Sequence, residues 1–292
     1  MKIKINTIPN PNMQKPLNYC GYEVGVYPEF VEYVGPFKSF DGITVFSDEC
    51  FDNDSLNIID QISSEIKIGW MHEPRALSSQ CNNRYENMKM LLDSGRLDYI
   101  MTYDEKLISE DSDKIIFTVD NAIWIEPKHI KIHPKTKMMS MIYSWKNWTP
   151  GHKLRHEVAK MVEGIELFGT GANREIKGKE EGLADFRYSI IIENSISDHY
   201  FTEKLLDCLA TGTVPIYWGC PNIGDYFNKK GIMTFNKIND LEQIFNELQD
   251  PDHYQKMMPY IKENFEKVQE YKCYEDWIYK NVYTKIEETT NA

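Results

Sequence analysis

The chain has 292 residues, of which 41% are apolar and 27% charged, enough for two ordinary globular domains and too many for one small core. A net charge of −12 argues against a duplex nucleic-acid partner, because no domain-wide basic surface is available to displace counterions, while a basic cleft for a nucleotide stays open. No run approaches the roughly 18 apolar residues of a bilayer span, the N-terminus shows no signal-peptide core, and the six cysteines fall without paired or ligand-like spacing. The expectation is a cytoplasmic protein with free thiols.

In chain order, residues 2–5 and 42–47 read as strands. Residues 54–63 carry Leu56, Ile59 and Ile62 at helical spacing, and 66–71 follow as another strand, so a parallel sheet is expected. That strand runs into His72-Glu73-Pro74-Arg75 and leaves a carboxylate at a strand's carboxyl end, although a loop glutamate before a turn proline explains Glu73 equally simply. A helix is expected over 87–92 and a strand with its exit over 97–104. Asp111-Ser-Asp113 has the form of a metal-binding triplet, but it lies in a charged loop of a chain with 45 acidic residues. Asn53-Asp-Ser55 and Asn147-Trp-Thr149 match the glycosylation sequon, which without secretion carries no meaning. The basic, proline-broken stretch 131–137 reads as the linker between an N-terminal domain, 1–136, and a C-terminal one, 137–292.

Residues 138–145 open the second domain as a strand, and Thr149-Pro150 marks a helix start, with threonine as cap and proline at the first helical position. Leu154, Val158 and Met161 form that helix's buried stripe, with Arg155 beside it. A strand over 165–169 ends in a glycine-containing turn. Tyr188 to Ile192 is a short β-branched run suited to a strand buried on both faces. Thr202 can cap the next helix, Leu205, Leu206 and Leu209 fall on its inner face, and Gly212 suits a left-handed C-terminal position before the strand 214–218. This βαβ unit places Glu193, Asn194 and Ser195 at a strand's carboxyl end, where open α/β sheets bind ligands, and Glu203 and Lys204 at the start of the helix over the same edge. A lysine in a first turn opposes the helix dipole unless an anion sits there. A further strand over 231–235, a helix over 240–248 and aromatic-rich helical material over 252–288 complete the chain.

The stretch from 186 to 222 resembles the donor-site signature of the family 10 glycosyltransferases, the α1,3/4-fucosyltransferases. Ile192-Glu193-Asn194-Ser195 stands where the family has Phe-Glu-Asn-Ser, Tyr200-Phe-Thr-Glu-Lys204 where it has Tyr-Val/Ile-Thr-Glu-Lys, and Val214-Pro-Ile-Tyr-Trp-Gly219 closes the match. Asp98-Tyr-Ile-Met-Thr-Tyr103 resembles a second family segment. The resemblance implies an α/β protein of GT-B architecture, two Rossmann-like parallel-sheet domains facing across a cleft. It implies a GDP-fucose donor and inverting transfer to a hydroxyl of a glycan acceptor, with no metal required. Arg155 fits the family's phosphate-contacting arginine, and Asn194, Tyr200, Glu203 and Lys204 are the expected donor-binding residues. Glu193 and Ser195 are further candidates, Glu193 being as well explained by a structural role. Glu73 takes the place of the family's general base, though the family's Glu-Ser-Pro lacks its serine here, and His72 is the second candidate for that work.

Another GDP-sugar fits the same residues. A catalytically idle sugar-nucleotide or glycan-binding protein is the alternative from a different class, but simple sugar binding gives Arg155, Glu203 and Lys204 no joint purpose.

Overall fold

The computed structural model describes residues 2–13, 15, 25–77, 79–110, 112–119 and 122–286. These form two compact units, the first holding 27–119 with the N-terminal strand and 273–286, the second holding 25–26 and 122–272. Asp111 of the acidic triplet lies outside the described residues.

The first unit is built on strands β1 (Ile3–Ile8), β2 (Val31–Val34), β3 (Ser39–Ser47), β4 (Ser63–Trp70), β5 (Tyr99–Thr102) and β6 (Ile115–Phe117), in the order β2-β1-β3-β4-β5-β6. Every pairing is parallel. Phe46, Phe51, Ile59, Met88 and Leu91 are wholly buried on one side of this sheet. Helix α1 (Ser79–Asp93) extends well N-terminal of the span expected from its apolar spacing. The helix expected over 54–63 shrinks to one turn, Ile58–Gln61. Ahead of it, Ser55 N–H bonds to Asp52 O and Ile58 N–H to Ser55 O, so the Asp-Asn-Asp-Ser run spends its amides on turns.

The second unit contains β7 (Lys137–Ile142), β8 (Glu166–Phe168), β9 (Phe186–Ile192), β10 (Val214–Trp218) and β11 (Met233–Thr234), ordered β11-β10-β9-β7-β8 and again all parallel. Its helices are α2 (Pro150–Met161), α3 (Glu203–Ala210), α4 (Asp240–Glu247) and α5 (His253–Val268). Thr149 caps α2 by accepting from His152 N–H at 3.1 Å, and His152 Nδ1 accepts from Thr149 N–H at 3.2 Å. Burial, reinforced by Arg155, pushes His152 down to about 4, which keeps the ring neutral and able to accept. Leu205, Leu206 and Leu209 are buried, and Gly212 takes φ +71°.

Two expectations need correction. The stretch 131–137 is no solvated linker: Lys135 Nζ bonds to Ala184 O, Thr211 O and Thr213 Oγ1 at 2.8–2.9 Å, and His133 N–H bonds to Thr211 O. Three backbone and hydroxyl oxygens hold this ammonium inside the second unit, so the units part near 120 instead of 136. Nor is 252–288 one helical segment. After α5 the chain tightens into a 3₁₀ turn, Gln269–Tyr271, and Cys273 is extended at φ −132°, ψ 103°. Beyond that break the chain belongs to the first unit, where the Tyr274 hydroxyl donates to Val119 O at 2.6 Å and Asp276 accepts from the amides of Glu29 and Phe30.

Helix α3 also carries Asp207, fully buried, whose Oδ1 accepts from Trp124 N–H at 2.6 Å and whose Oδ2 lies 3.3 Å from Lys179 Nζ. Burial pushes this carboxyl up from 3.8 to about 6, against the attraction of Lys179. Between those two values the folded chain holds a proton that the unfolded chain has released, so the contribution of Asp207 to stability is present below about 3.8 and lost as pH rises through about 6. Asp207→Asn keeps an acceptor for Trp124 and removes the titration. Urea unfolding at pH 4 and pH 7 should show the wild type losing stability relative to Asp207→Asn, by on the order of 2–3 kcal/mol across that interval. Parallel curves for the two proteins would place the proton elsewhere.

Candidate functional site

β7 and β9 are neighbours, and the chain leaves them toward opposite edges of the sheet, β7 for β8 and β9 for β10. Their carboxyl ends therefore form the topological switch point at which such sheets open a crevice. A cavity of about 300 Å³ lies there, floored by isoleucines of β7 and β9 and lined by Arg155, Lys179, Glu203, Lys204 and Asp207.

The end of β9 is fixed from two sides. Gly151, in the first turn of α2, donates its N–H to Asn194 O at 3.1 Å, and a Cβ at this position would fall 1.7 Å from Glu193 O, so no side chain fits. One turn on, Arg155 is buried, its Nε donating to Ile192 O at 2.9 Å and its Nη2 to the same oxygen and to Asn194 Oδ1 at 3.1 Å. The helix periodicity had set Arg155 beside the buried stripe; its planar fork instead turns inward, onto acceptors at the strand end that only the fold brings within reach.

On the other side, Glu193 is wholly buried and both its oxygens serve Thr202, taking its N–H at 2.9 Å and its hydroxyl at 2.7 Å. Burial raises this carboxyl, with Lys204 opposing. Thr202 Oγ1 in turn caps α3 through Lys204 N–H. Glu193 thus ties the end of β9 to the start of α3.

Glu203 and Lys204 are thereby delivered to the cavity wall. Burial would raise the Glu203 carboxyl, but Lys179 at 3.0 Å and Lys204 at 3.3 Å prevail and hold it well below the usual carboxylate range. Lys204 Nζ also stands 3.1 Å from Thr202 Oγ1 and 3.8 Å from Glu193. Asn194 meets the site through Arg155. Tyr200 and Ser195 are buried nearby but lie outside the cavity's lining.

Sequence reading missed Lys179 and Asp207. Lys179 sits in a charged stretch between β8 and β9 with nothing to separate it from Lys177 or its glutamates. Asp207 carried no signal either: it stands one turn after Glu203, across α3 from Leu205, Leu206 and Leu209, on the side where helical spacing places solvent-facing charge, and only the fold buries it.

In the first unit, His72 and Glu73 follow β4. Their carbonyls accept from the hydroxyls of Tyr103 at 3.3 Å and Tyr85 at 3.1 Å. Next to them Arg75 binds Asp104 through Nε at 2.6 Å and Nη2 at 2.9 Å, and Glu86 through Nη1 at 3.1 Å. The His72 ring packs edge-on to Trp70 at 4.0 Å, with Nε2 3.9 Å from Asp48. Among the described residues, no group of three or more His, Cys, Asp or Glu is placed to hold a metal ion, and no helix is long and apolar enough to cross a membrane.

The family described as glycosyltransferase family 10 (fucosyltransferase), C-terminal part, matches residues 132–291. An α-(1,3)-fucosyltransferase of Helicobacter pylori is 27% identical over 103 residues, which cover 33% of this chain and 22% of that protein. GDP-fucose protein O-fucosyltransferase 3 of Gallus gallus is 34% identical over 95 residues, 32% of this chain and 18% of that one. The alignments thus span about a fifth of those relatives' length. Crystal structures of an α1,3-fucosyltransferase, alone and with GDP, superpose with TM-scores of 0.55 and 0.53 at 14% identity, covering 94% and 92% of this chain and 92% and 88% of theirs. At that identity the likeness shows the fold, the α/β GT-B architecture with its two parallel sheets. The family's own pattern covers more than half of the 292 residues, switch-point cavity included, and the chain belongs to glycosyltransferase family 10, the fucosyltransferase family.

Proposed function

We propose that the protein moves L-fucose from GDP-fucose to a hydroxyl of a glycan acceptor, with inversion at the anomeric carbon. The observation that carries this reading is the convergence of Arg155, Glu203 and Lys204 on one cavity at the switch point, inside the segment that matches the family. The name of the Gallus gallus relative carries the same donor. A cytoplasmic setting belongs to the proposal and rests on the acidic composition and scattered thiols.

Loss of GDP from the donor leaves an oxocarbenium-like sugar and builds negative charge on the β-phosphate. That charge is best met by groups already in place, here Lys204 and the N–H groups that open α3. Lys204 suits the task because its contacts with Glu203 and Glu193 are long, 3.3 and 3.8 Å, so a phosphate can draw it away at small cost. Arg155, its fork engaged at the end of β9, contributes charge to the wall and holds Asn194 in place. An ionised Glu203 can accept from the ribose hydroxyls. The reading asks no metal of the site, since lysine and amide groups supply the positive charge. Glu73 takes the acceptor's proton as its oxygen attacks, with His72 the second candidate.

GDP should raise the melting temperature, and GMP and UDP much less; ligand at about 100 times its dissociation constant adds roughly 2.7 kcal/mol. Lys204→Met keeps the stem and removes the ammonium, and should weaken GDP binding by about 1.5–3 kcal/mol with the fold intact. Equal stabilisation by GDP and UDP removes the guanine assignment, and none by either removes the donor site.

Transfer and donor binding should separate at Glu73. Glu73→Gln is expected to keep GDP affinity and to slow fucose transfer by about 100-fold or more. If Glu73→Gln transfers normally while His72→Ala does not, the base is the histidine. Activity in both moves the base elsewhere.

A further inference from the structure

The reading above gives no part to one cation of the cavity. Lys179 opens the 3₁₀ turn Lys179–Gly182 between β8 and β9 and reaches the wall beside Glu203. Its Nζ lies 3.0 Å from Glu203 Oε1, 3.3 Å from Asp207 Oδ2 and 4.5 Å above the centre of the Trp124 ring. Asp207 is in turn held by the Trp124 amide at 2.6 Å. We propose that Lys179 is a positioning residue: it keeps the Glu203 carboxylate ionised and in a single orientation for the ribose hydroxyls of the bound nucleotide, with Asp207 and Trp124 fixing the lysine from behind. The inference rests on the GDP-sugar reading of the cavity.

The geometry separates the two lysines that share Glu203. Lys204 touches Glu203 Oε1 at 3.3 Å and Oε2 at 3.5 Å, the looser of the two arrangements, and is the one a phosphate can recruit. Once it turns to the phosphate, Glu203 loses one of its two counter-charges while still mostly buried. Lys179 cannot leave in the same way. Doing so would strip the cation from two buried carboxylates together and take it off the indole face, and a buried charge deprived of its partner is strongly unfavourable. Asp207 thus acts as a tether: as the second carboxylate on Lys179, it makes the Lys179–Glu203 contact the one that survives nucleotide binding. Glu203 Oε1 is the oxygen held by Lys179, which leaves Oε2 for the incoming hydroxyls.

Calorimetric titration with GDP and with 2′,3′-dideoxy-GDP tests this, because the ratio of the two affinities reports the ribose contact apart from the phosphates. The wild type should prefer GDP on the order of tenfold or more, as expected for hydrogen bonds to a charged acceptor. In Lys179→Met the ratio should collapse toward one, and Lys179→Arg should restore most of it. Should Lys179→Met fail to fold, the double variant Lys179→Met/Asp207→Asn removes the uncompensated carboxylate and should show the same collapse. An unchanged ratio in these variants overturns the proposal. So does an equal loss for both ligands, which would put Lys179 on the phosphates, and so does a wild type that binds both alike. A wild type that binds neither is a separate result, because it overturns the GDP-sugar reading itself.

Discussion

The site depends on one buried contact, the Glu193 carboxylate closing on the amide and hydroxyl of Thr202. Eight residues of irregular chain separate the two; His199 N–H on Asn222 and Phe201 packed against Phe227 and Tyr271 hold the loop, and the Glu193–Thr202 contact is what joins the strand end directly to the residue that caps α3. A carboxylate buried at a strand end is unfavourable unless its oxygens are satisfied, so the cost of burying Glu193 is also what makes the geometry specific. With Thr202 pinned, residues 203 and 204 have no choice of location: one turn of helix presents both side chains to the space between β7 and β9. Gly151 fixes the same strand end from the other side by permitting backbone contact that any Cβ would prevent.

Charge balance follows from this arrangement. Arg155, Lys179 and Lys204 share the wall with Glu203 and Asp207, and Glu193 is buried behind Lys204 at 3.8 Å. A wall of three unopposed cations would repel itself and would hold any anion indiscriminately. Carboxylates beside the two lysines, and neutral oxygens on the Arg155 fork, ease both problems, and leave the three cations held with different firmness. The distances rank them: Arg155 bonds short to a backbone oxygen, Lys179 sits 3.0 and 3.3 Å from two carboxylates, and Lys204 has the longest ion pairs, 3.3 and 3.8 Å. Lys204 also stands in the first turn of α3, where the helix dipole disfavours a cation that has no anion beside it.

What could be read in advance follows the same division between local and long-range causes. The βαβ unit from β9 to β10 was legible because each boundary has a local reason: a β-branched run, a threonine cap, a leucine stripe and a glycine at φ +71°. The cap at Thr149 and the parallel sheets were legible for the same kind of reason. The inward turn of Arg155 was not, because its acceptors lie 37 and 39 residues away. The burial of Lys135 escaped notice for a similar cause, since its three acceptors come from a loop before β9 and from the end of α3, and a basic proline-broken stretch looks solvated until those are in place. The aromatic C-terminal stretch misled through continuity of composition: helical spacing persists across Lys272 and Cys273 even though the backbone breaks there and the chain changes unit.

The N-terminal segment departs most from the family at Glu73, where no serine separates the carboxylate from the proline. Physical constraint replaces it here. A residue before proline is disfavoured in the helical region, so Pro74 limits the backbone of Glu73 to extended conformations. The hydroxyls of Tyr103 and Tyr85 take the carbonyls of His72 and Glu73, and Arg75, on the far side of the proline, is locked onto Asp104 by two bonds and lies 4.3 Å above the Tyr85 ring. Three of the four residues, His72, Glu73 and Arg75, are thus held by partners from α1 and from the exit of β5. A group that must remove a proton at one instant of a reaction benefits from such rigidity, because orientation lost in the ground state must be recovered at the barrier. The segment is therefore held firmly without a serine between Glu73 and Pro74, its backbone fixed by the proline and by the two tyrosine hydroxyls.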